Sequence, residues 1–226
     1  RELVDRVRSE AFVVVGGDSG TGKSSLCRAG VLPWLAENDG WSCVEVVPGR
    51  HPVRSLTAAL AAWIGTDEAD LTITLRDSPD AVARAIRQHI VTSDRSSHRG
   101  QSGQSGPALA RTGDPPPEDS QARPLRLLLF VDQLEELLTL SEPEEARVVA
   151  AALAALAVRT PSVRVLATGR SDFLSRLAML PGLGDEMARA LYFLRPLTGD
   201  RIREVIVRPA AIKGVVFESE ALVDTL

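Results

Sequence analysis

Runs of consecutive apolar residues alternate along this chain with stretches whose apolar residues recur at helical spacing. The runs predict strands that are buried on both faces of a sheet, because such strands carry β-branched and aliphatic residues with little polar alternation. Five segments fit this description: Phe12–Val15, Ser42–Val47, Leu125–Val131, Val163–Thr168 and Leu191–Leu194.

The stretches between these runs predict helices, since their apolar residues fall on one face at a period near 3.6 residues. The predicted helices are Leu3–Arg8, Lys23–Glu37 with a break near Pro33, Leu56–Ile64, Val82–Ile90, Glu144–Val158, Asp172–Leu180 and Gly199–Val207, the last ended by Pro209. Strands that alternate with helices form a parallel sheet covered on both faces. The pattern therefore predicts an α/β fold in three layers, α/β/α, around a mostly parallel five-stranded sheet.

The composition changes between about residues 93 and 124, where Ser, Gly, Gln, Pro and charged residues dominate. A segment with so few large apolar residues buries too little surface to offset the entropy lost on ordering. We predict a disordered insertion within the domain at residues 93–124. A tolerated surface loop is the default interpretation, with a regulatory role as the alternative.

Composition and charge exclude several classes of protein. Of the 226 residues, 44% are hydrophobic, which suffices for a sizeable core, and the net charge is −4. This charge gives no global basic character, so we expect no direct nucleic-acid binding. No apolar run approaches the roughly 20 residues of a membrane span and no signal peptide is evident, so we predict a cytoplasmic protein without membrane contact. Cys27 and Cys43 have no metal-like spacing and are expected to be free thiols.

A glycine-rich stretch connects the first predicted strand to the helix that follows it. It matches G-x-x-x-x-G-K-[ST], the phosphate-binding loop of nucleoside triphosphatases, in the required order of strand, loop and helix. Glycines let such a loop wrap phosphates, while its backbone N–H groups and the positive end of the helix point inward. Lys23 would reach the β- and γ-phosphates, and the Ser24 hydroxyl would bind Mg²⁺. The predicted nucleotide contacts are Gly17, Asp18, Ser19, Gly20, Thr21, Gly22, Lys23, Ser24 and Ser25.

The chain also offers a carboxylate for the metal. Asp132 directly follows the apolar run Leu127–Val131, which is the Walker B pattern. The metal needs a carboxylate at the end of a neighbouring buried strand. We therefore predict that Ser24 and Asp132 bind Mg²⁺.

Two residues are candidates for the base that activates the attacking water. Many related ATPases carry a glutamate directly after the metal-binding aspartate, but that position is Gln133 here. Glu135 and Glu136 are the available carboxylates, and the turn after the strand would bring one of them back to the attacking water. Sequence does not separate the two. The alternative is that both begin a solvated helix, whose N-terminus favours acidic residues.

Arg170 follows the predicted strand Val163–Thr168, which we expect beside the Walker B strand. From there its guanidinium would point at the γ-phosphate, either to stabilise charge or to sense whether that phosphate is present. The alternative is a surface arginine paired with Asp172. The predicted catalytic residues are Lys23, Asp132, Glu135, Glu136 and Arg170.

Together these motifs resemble a known family. The resemblance is carried by residues 17–33 (GDSGTGKSSLCRAGVLP), Pro48-Gly49, 131–139 (VDQLEELLT), 170–174 (RSDFL) and 208–210 (RPA). They are similar to the novel STAND NTPases, bacterial signal-transduction ATPases with numerous domains that are related to NACHT and apoptotic-ATPase modules. The resemblance covers nearly the whole chain, and the combination of DQxEEL with RxDFL is specific.

The resemblance implies a molecular switch that binds ATP or ADP with Mg²⁺. Such proteins usually rest with ADP bound, and ATP exchange releases them for self-association, which implies a homo-oligomer on activation and slow ATP hydrolysis. The alternative is a catalytically weak nucleotide-binding scaffold module. An effector domain often precedes the ATPase and sensor repeats, commonly a WD-repeat propeller, often follow, so these domains of the full-length chain are the implied partners. NACHT modules carry acidic residues three and four positions after the Walker B aspartate, as Glu135 and Glu136 do here.

The resemblance also divides the chain, into an NTPase domain at residues 1–197 and the start of a C-terminal helical or winged-helix subdomain at residues 198–226. The family's Gly-Arg-Glu element, which touches the base or ribose, normally precedes the first helix, whereas this chain begins at Arg1-Glu2-Leu3. We therefore expect a piece of a larger protein with some adenine contacts missing. Pro209 is either the proline that packs on adenine in related ATPases or a plain helix terminator.

Overall fold

A computed structural model describes residues 1–99, 124–159, 162–196 and 199–219, together with Val223. Its centre is a five-stranded sheet in which each strand is parallel to its neighbours. The strands are β1 (Phe12–Gly17), β2 (Ser42–Val46), β3 (Leu127–Val131), β4 (Val163–Arg170) and β5 (Leu191–Phe193). Their order is β2-β3-β4-β1-β5, so the central strand β4 lies between β1 and β3.

Helices connect successive strands and flank the sheet. They are α1 (Glu2–Ser9), α2 (Lys23–Leu26), α3 (Leu32–Asp39), α4 (Pro52–Ile64), α5 (Glu68–Asp77), α6 (Pro79–Arg99), α7 (Glu136–Thr139), α8 (Pro143–Arg159), α9 (Leu174–Leu177), α10 (Leu183–Ala190) and α11 (Gly199–Ile212). A π-helical turn at Cys27–Val31 joins α2 to α3, and a 3₁₀ turn at Ser171–Phe173 precedes α9.

Two hydrophobic cores lie on opposite faces of the sheet, because successive strand residues point to opposite sides. Val14 belongs to the core shared with α4, α6, α8 and α10. Its neighbour Val13 belongs to the core shared with α1 and α3. All residues of β1 and β3 are buried, which explains their unbroken apolar character. The predicted three-layer α/β/α fold with a parallel five-stranded sheet is confirmed.

Two helices, α5 and α10, were not predicted from the apolar pattern. Asp67 caps α5 by accepting hydrogen bonds from the backbone N–H groups of Ala69 and Asp70, at 2.8 and 3.2 Å. A carboxylate in this position satisfies helix donors that otherwise lack partners. The chain enters α10 through Gly182, whose φ of 76° is in the left-handed region. Capping and turn residues, rather than apolar spacing, therefore mark these two helices.

Among the predicted helix boundaries that differ from the structure, two involve proline. The break expected near Pro33 falls earlier, at the π-helical turn, and Pro33 lies in the first turn of α3, where its missing N–H is not needed. The prediction that Pro209 ends the last helix is wrong, since α11 continues to Ile212 with Pro209 inside it. Pro209 is in the last turn, where the Lys213 N–H still reaches its carbonyl at 3.1 Å.

The segment predicted to be disordered begins inside α6, which runs to Arg99. Residues 100–123 of that predicted insertion lie outside the described residues. So do residues 197–198, where the sequence predicts the boundary between two domains, and most of the chain after residue 219. The insertion and the domain division stay predictions.

Candidate functional site

The carboxyl end of β1 continues into the glycine-rich loop, and α2 follows it directly. β1 ends at Gly17, and α2 begins at Lys23. Gly20 and Gly22 have φ angles of 81° and 84°, a left-handed conformation that costs other residues about 1–2 kcal/mol. Glycine at these positions lets the loop turn back to the start of α2. Unpaired backbone N–H groups at a helix start favour anions.

The Lys23 ammonium lies inside this loop. It donates hydrogen bonds to the carbonyl oxygens of Gly17 at 2.8 Å and Asp18 at 2.7 Å, and the residue is 9% exposed. The Thr21 hydroxyl donates to the same Asp18 carbonyl at 2.9 Å. An ammonium group has three donors, so a phosphate oxygen could take the third while two hold the loop in shape.

Asp132 directly follows β3, as predicted, and its carboxylate meets the start of α2. The Ser24 hydroxyl donates to Asp132 Oδ1 at 2.6 Å, although the two residues are 108 positions apart. Asp132 is 2% exposed, and a carboxylate this buried is costly unless donors and cations surround it. The structure thus brings together the two residues that the sequence predicts as Mg²⁺ ligands.

Thr168, on the central strand β4, was missed by the sequence analysis. Its hydroxyl donates to Asp132 Oδ1 and accepts a hydrogen bond from the Gln133 N–H at 3.0 Å. Its carbonyl accepts from the Leu134 N–H at 2.8 Å, so Thr168 fixes the turn after β3. Gln133 has a φ of 58°, a left-handed conformation uncommon for a residue with a Cβ. The available signal was a hydroxyl residue at the end of an apolar run, which is weak alone.

The structure separates the two candidate bases. Glu135 lines the cavity beside the phosphate loop, and its Oε2 accepts from the Arg170 backbone N–H at 3.2 Å. Glu136 begins α7, and its Oε2 accepts from the Gly49 N–H at 2.8 Å. Of the two glutamates, Glu135 therefore faces the predicted nucleotide, whereas Glu136 joins α7 to the loop after β2.

Arg170 is the last residue of β4 and lines the same cavity. Its guanidinium forms a two-point ion pair with Asp172, at 2.7 and 3.0 Å, and lies over the Phe173 ring at 5.3 Å. The hydrogen bond from Arg170 lowers the pKa of Asp172, and the same contact raises the pKa of Arg170. A phosphate at the cavity would therefore compete with Asp172 for this guanidinium.

The end of β4 also contacts the phosphate loop. The Ser171 hydroxyl donates a hydrogen bond to Asp18 Oδ1. Gly17 lies level with Arg170 in the pairing of β1 with β4, so the loop and the strand end are neighbours. The side chain of Asp18, predicted as a nucleotide contact, is thus engaged in fixing the loop to β4.

A single cavity of ≈ 290 Å³ gathers most of the predicted site. It is lined by Ser19, Gly20, Gly22, Lys23, Ser24, Ser25, Gln133, Glu135, Thr168 and Arg170. Gly17, Asp18 and Thr21 belong to the loop but are not part of this wall. Pro209, the other predicted nucleotide contact, lies exposed on α11 and is not among the residues that line the cavity.

A second residue missed by the sequence analysis is Arg28. Its guanidinium Nη2 lies 3.1 Å from Asp132 Oδ2, and its Nε lies 3.0 Å from Glu45 Oε2. Asp132 is thus bonded to hydroxyls through one oxygen and to a cation through the other. Sequence offered no signal for this contact, because it joins the π-helical turn after α2 to residues of β2 and of the turn after β3, which come later in the chain.

The donor set fits a magnesium–nucleotide complex. The Ser24 hydroxyl and the Asp132 carboxylate supply oxygen ligands, which Mg²⁺ prefers, and Mg²⁺ usually completes its shell with water and phosphate oxygens. When bound, the ion would neutralise charge on the phosphates.

The two cysteines are free thiols, as predicted. Burial raises the pKa of Cys27 to about 12 and also raises the pKa of Cys43, so neither is activated as a nucleophile. No helix within the described ranges has the length and apolar character needed to cross a membrane.

Comparison with known proteins agrees with this geometry. The sequence model of the family Novel STAND NTPase 1 matches residues 1–226. Among solved structures, the chain is similar to a Walker-type ATPase of Pyrococcus abyssi, with 13% identity and a TM-score of 0.56. The match covers 100% of this chain and 60% of that ATPase, and at this identity it shows a shared fold alone. A comparison with curated proteins finds none that matches.

Proposed function

Since the chain belongs to the Novel STAND NTPase 1 family, we propose that it is an ATP-binding, slowly ATP-hydrolysing switch module. One observation carries the proposal: the Ser24 hydroxyl lies 2.6 Å from the buried Asp132 carboxylate, beside a cavity that the Lys23 ammonium also lines. This arrangement supports a metal-binding pair and a phosphate-binding cation within one site.

In this proposal the loop backbone and the start of α2 bind the phosphates. Lys23 neutralises charge on the β- and γ-phosphates, and Ser24 with Asp132 holds Mg²⁺. The choice of adenine nucleotides rests on the family, and the sequence carries no Asn-Lys-x-Asp motif for reading guanine.

Hydrolysis needs a base near the γ-phosphate, and we assign that role to Glu135. Its carboxylate lines the cavity and is oriented by the Arg170 N–H at 3.2 Å. The carboxylate would accept a proton from the attacking water as the water oxygen bonds to the γ-phosphorus and the bond to ADP breaks. The Arg170 guanidinium would leave Asp172, pair with the γ-phosphate and stabilise its charge.

A second candidate function is a nucleotide-binding scaffold with little turnover. Gln133 favours it, since an amide stands directly after Asp132, where related enzymes carry a basic carboxylate, and this amide lines the cavity. An amide does not accept a proton at neutral pH.

The switch itself is proposed from the family together with the contacts of β4. Arg170 and Ser171 connect the cavity to Asp172 and Asp18, so a γ-phosphate that recruits Arg170 would alter the contacts of the strand end. We propose that the module rests with ADP and self-associates with ATP, in the bacterial cytoplasm. Effector and sensor domains of a longer chain would be its partners.

The test is calorimetric titration of the stripped protein with Mg-ADP, Mg-ATP and Mg-GTP, followed by ATP turnover. Lys23→Ala should weaken binding of adenine nucleotides about 10- to 100-fold, because it removes a charge-assisted hydrogen bond to the phosphates. Lys213→Ala is the matched control, since Lys213 is exposed at the end of α11.

Each outcome separates the proposals. Equal Mg-ATP affinity of the wild type and Lys23→Ala would reject the nucleotide site. Tight binding without measurable turnover would favour the scaffold, and turnover that Glu135→Gln abolishes would reject it.

A further inference from the structure

The two oxygens of the Asp132 carboxylate have different partners. Oδ1 accepts hydrogen bonds from the hydroxyls of Ser24 and Thr168. Oδ2 is 3.1 Å from the Arg28 guanidinium, which also contacts Glu45 at 3.0 Å. An arginine therefore covers the one carboxylate oxygen that the site hydroxyls leave accessible.

The helix after the phosphate loop brings Arg28 to this position. Arg28 follows Ser24 by one helical turn, so both side chains lie on the face that meets Asp132. It lies in the π-helical turn Cys27–Val31, a rare element that is frequent at functional sites. Glu45 is paired with Phe130 across β2 and β3, and Arg28 lies over the Phe130 ring at 5.9 Å.

Exposure differs sharply within this triad. The Asp132 side chain is 3% exposed, whereas those of Arg28 and Glu45 are 46% and 48% exposed. Water can therefore solvate Arg28 when it leaves Asp132, and Glu45 provides a second anionic partner. Arg28 is the movable member of the triad, and Asp132 is the fixed one.

We propose that Arg28 is a positioning residue that competes with Mg²⁺ for the Oδ2 side of Asp132. Glu45 holds the guanidinium when the metal binds, so the pair sets the affinity for magnesium. This inference rests on the proposed nucleotide-binding function. It assigns Arg28 no contact with substrate, since its effect passes through Asp132.

The charges give opposite signs for the two partners. Removal of the Arg28 charge takes away the cation that lies against Asp132 Oδ2, so metal binding should strengthen. Removal of the Glu45 charge leaves Arg28 with Asp132 as its remaining anion, so metal binding should weaken. A residue that merely supports the fold would not give opposite signs.

The experiment measures binding of a fluorescent ADP to the full chain, in excess Mg²⁺ and in EDTA. The ratio of the Kd in EDTA to the Kd in Mg²⁺ is the metal coupling. We expect Arg28→Gln to raise this ratio about twofold to fivefold and Glu45→Gln to lower it by a similar factor, as for a partly exposed charge pair. Arg28→Lys keeps the charge and should stay close to the wild type.

Arg147→Gln is the matched control, because Arg147 forms an exposed ion pair with Glu144 at 3.3 Å, and it should leave the ratio unchanged. Thermal unfolding shows whether each variant is folded. If Arg28→Gln does not fold, the fall in the ratio expected for Glu45→Gln still tests the inference. Where the wild-type ratio is above one, the inference is overturned if both variants change the ratio in the same direction or if neither changes it. The proposed metal site would stand in that case. A wild-type ratio of one would overturn the metal site itself and the inference with it.

Discussion

The Glu136 carboxylate accepts a hydrogen bond from the Gly49 backbone N–H at 2.8 Å, and this contact removes one of two adjacent glutamates from the cavity. Glu135, its neighbour, lines that cavity together with Lys23 and Ser24. Two residues of the same chemistry and consecutive numbers therefore have different surroundings, and mutation should separate them.

Glu135→Gln should lower ATP turnover by about 100-fold or more while ADP affinity stays unchanged, because a general base contributes at least that factor. Glu136→Gln should retain turnover and lower the free energy of unfolding by about 1 kcal/mol, since an amide oxygen is a weaker acceptor for Gly49. Phosphate release and urea denaturation measure the two effects. Loss of turnover in Glu136→Gln with full turnover in Glu135→Gln would reverse the assignment.

Gly22→Ala should destabilise the protein and weaken ADP binding. Gly22 has a φ of 84°, and a Cβ in this conformation costs about 1–2 kcal/mol. Gly30→Ala is the matched control, because Gly30 is helical and its added Cβ would meet Leu26 Cδ1 at 3.9 Å, an ordinary contact. That variant should unfold at the same free energy or up to about 1 kcal/mol higher. If both substitutions lower the free energy of unfolding equally, the left-handed conformation does not explain why glycine is present at position 22.

Thr168→Val should lower the free energy of unfolding by about 1–3 kcal/mol, because Asp132 Oδ1 loses a donor and the Gln133 N–H loses one of its two acceptors. It should also weaken the dependence of ADP binding on Mg²⁺, since Asp132 would be less well oriented. Thr74→Val, on the exposed face of α5, is the control and should change stability by less than about 0.5 kcal/mol. Equal effects in urea denaturation would show that the Thr168 hydroxyl has no special role.

Alkylation should distinguish the two thiols in the native protein. Burial raises the pKa of Cys27 to about 12, so at pH 8 about one molecule in ten thousand carries the reactive thiolate. Since this fraction grows about tenfold per pH unit below the pKa, Cys27 should gain reactivity as the pH rises. Cys43 is half-buried and should react first, and both should react in denaturant. Mass spectrometry after iodoacetamide treatment measures this order, which faster labelling of Cys27 would contradict.

The predicted site residues that the structure places close together are those encoded locally. The phosphate loop places its glycines, Lys23 and Ser24 within eight consecutive residues between a strand and a helix, so its geometry follows from the chain itself. Asp132 was predicted because it directly follows the last residue of a buried strand. The family followed from the combination of these motifs.

The parts that sequence missed depend on tertiary geometry. β4 lies beside β3, as expected, but Thr168 reaches Asp132 because Ala167 is level with Val131, and no local pattern encodes this register. Glu135 and Glu136 have different partners because Arg170 at the end of β4 lies near one and Gly49 after β2 lies near the other. Arg28, in the π-helical turn after α2, meets Asp132 and Glu45 although both residues come later in the chain, and helical periodicity alone does not reveal such contacts.

Three residues at or next to the end of β4, namely Thr168, Arg170 and Ser171, contact in turn the Asp132 carboxylate, the proposed base Glu135 and Asp18 of the phosphate loop. β4 is hydrogen-bonded to β1 on one side and to β3 on the other, and Ser171 follows it directly. A displacement of this strand end would therefore alter the surroundings of all three carboxylates together. Such coupling would connect the proposed nucleotide site to whatever acts on the helices that follow β4.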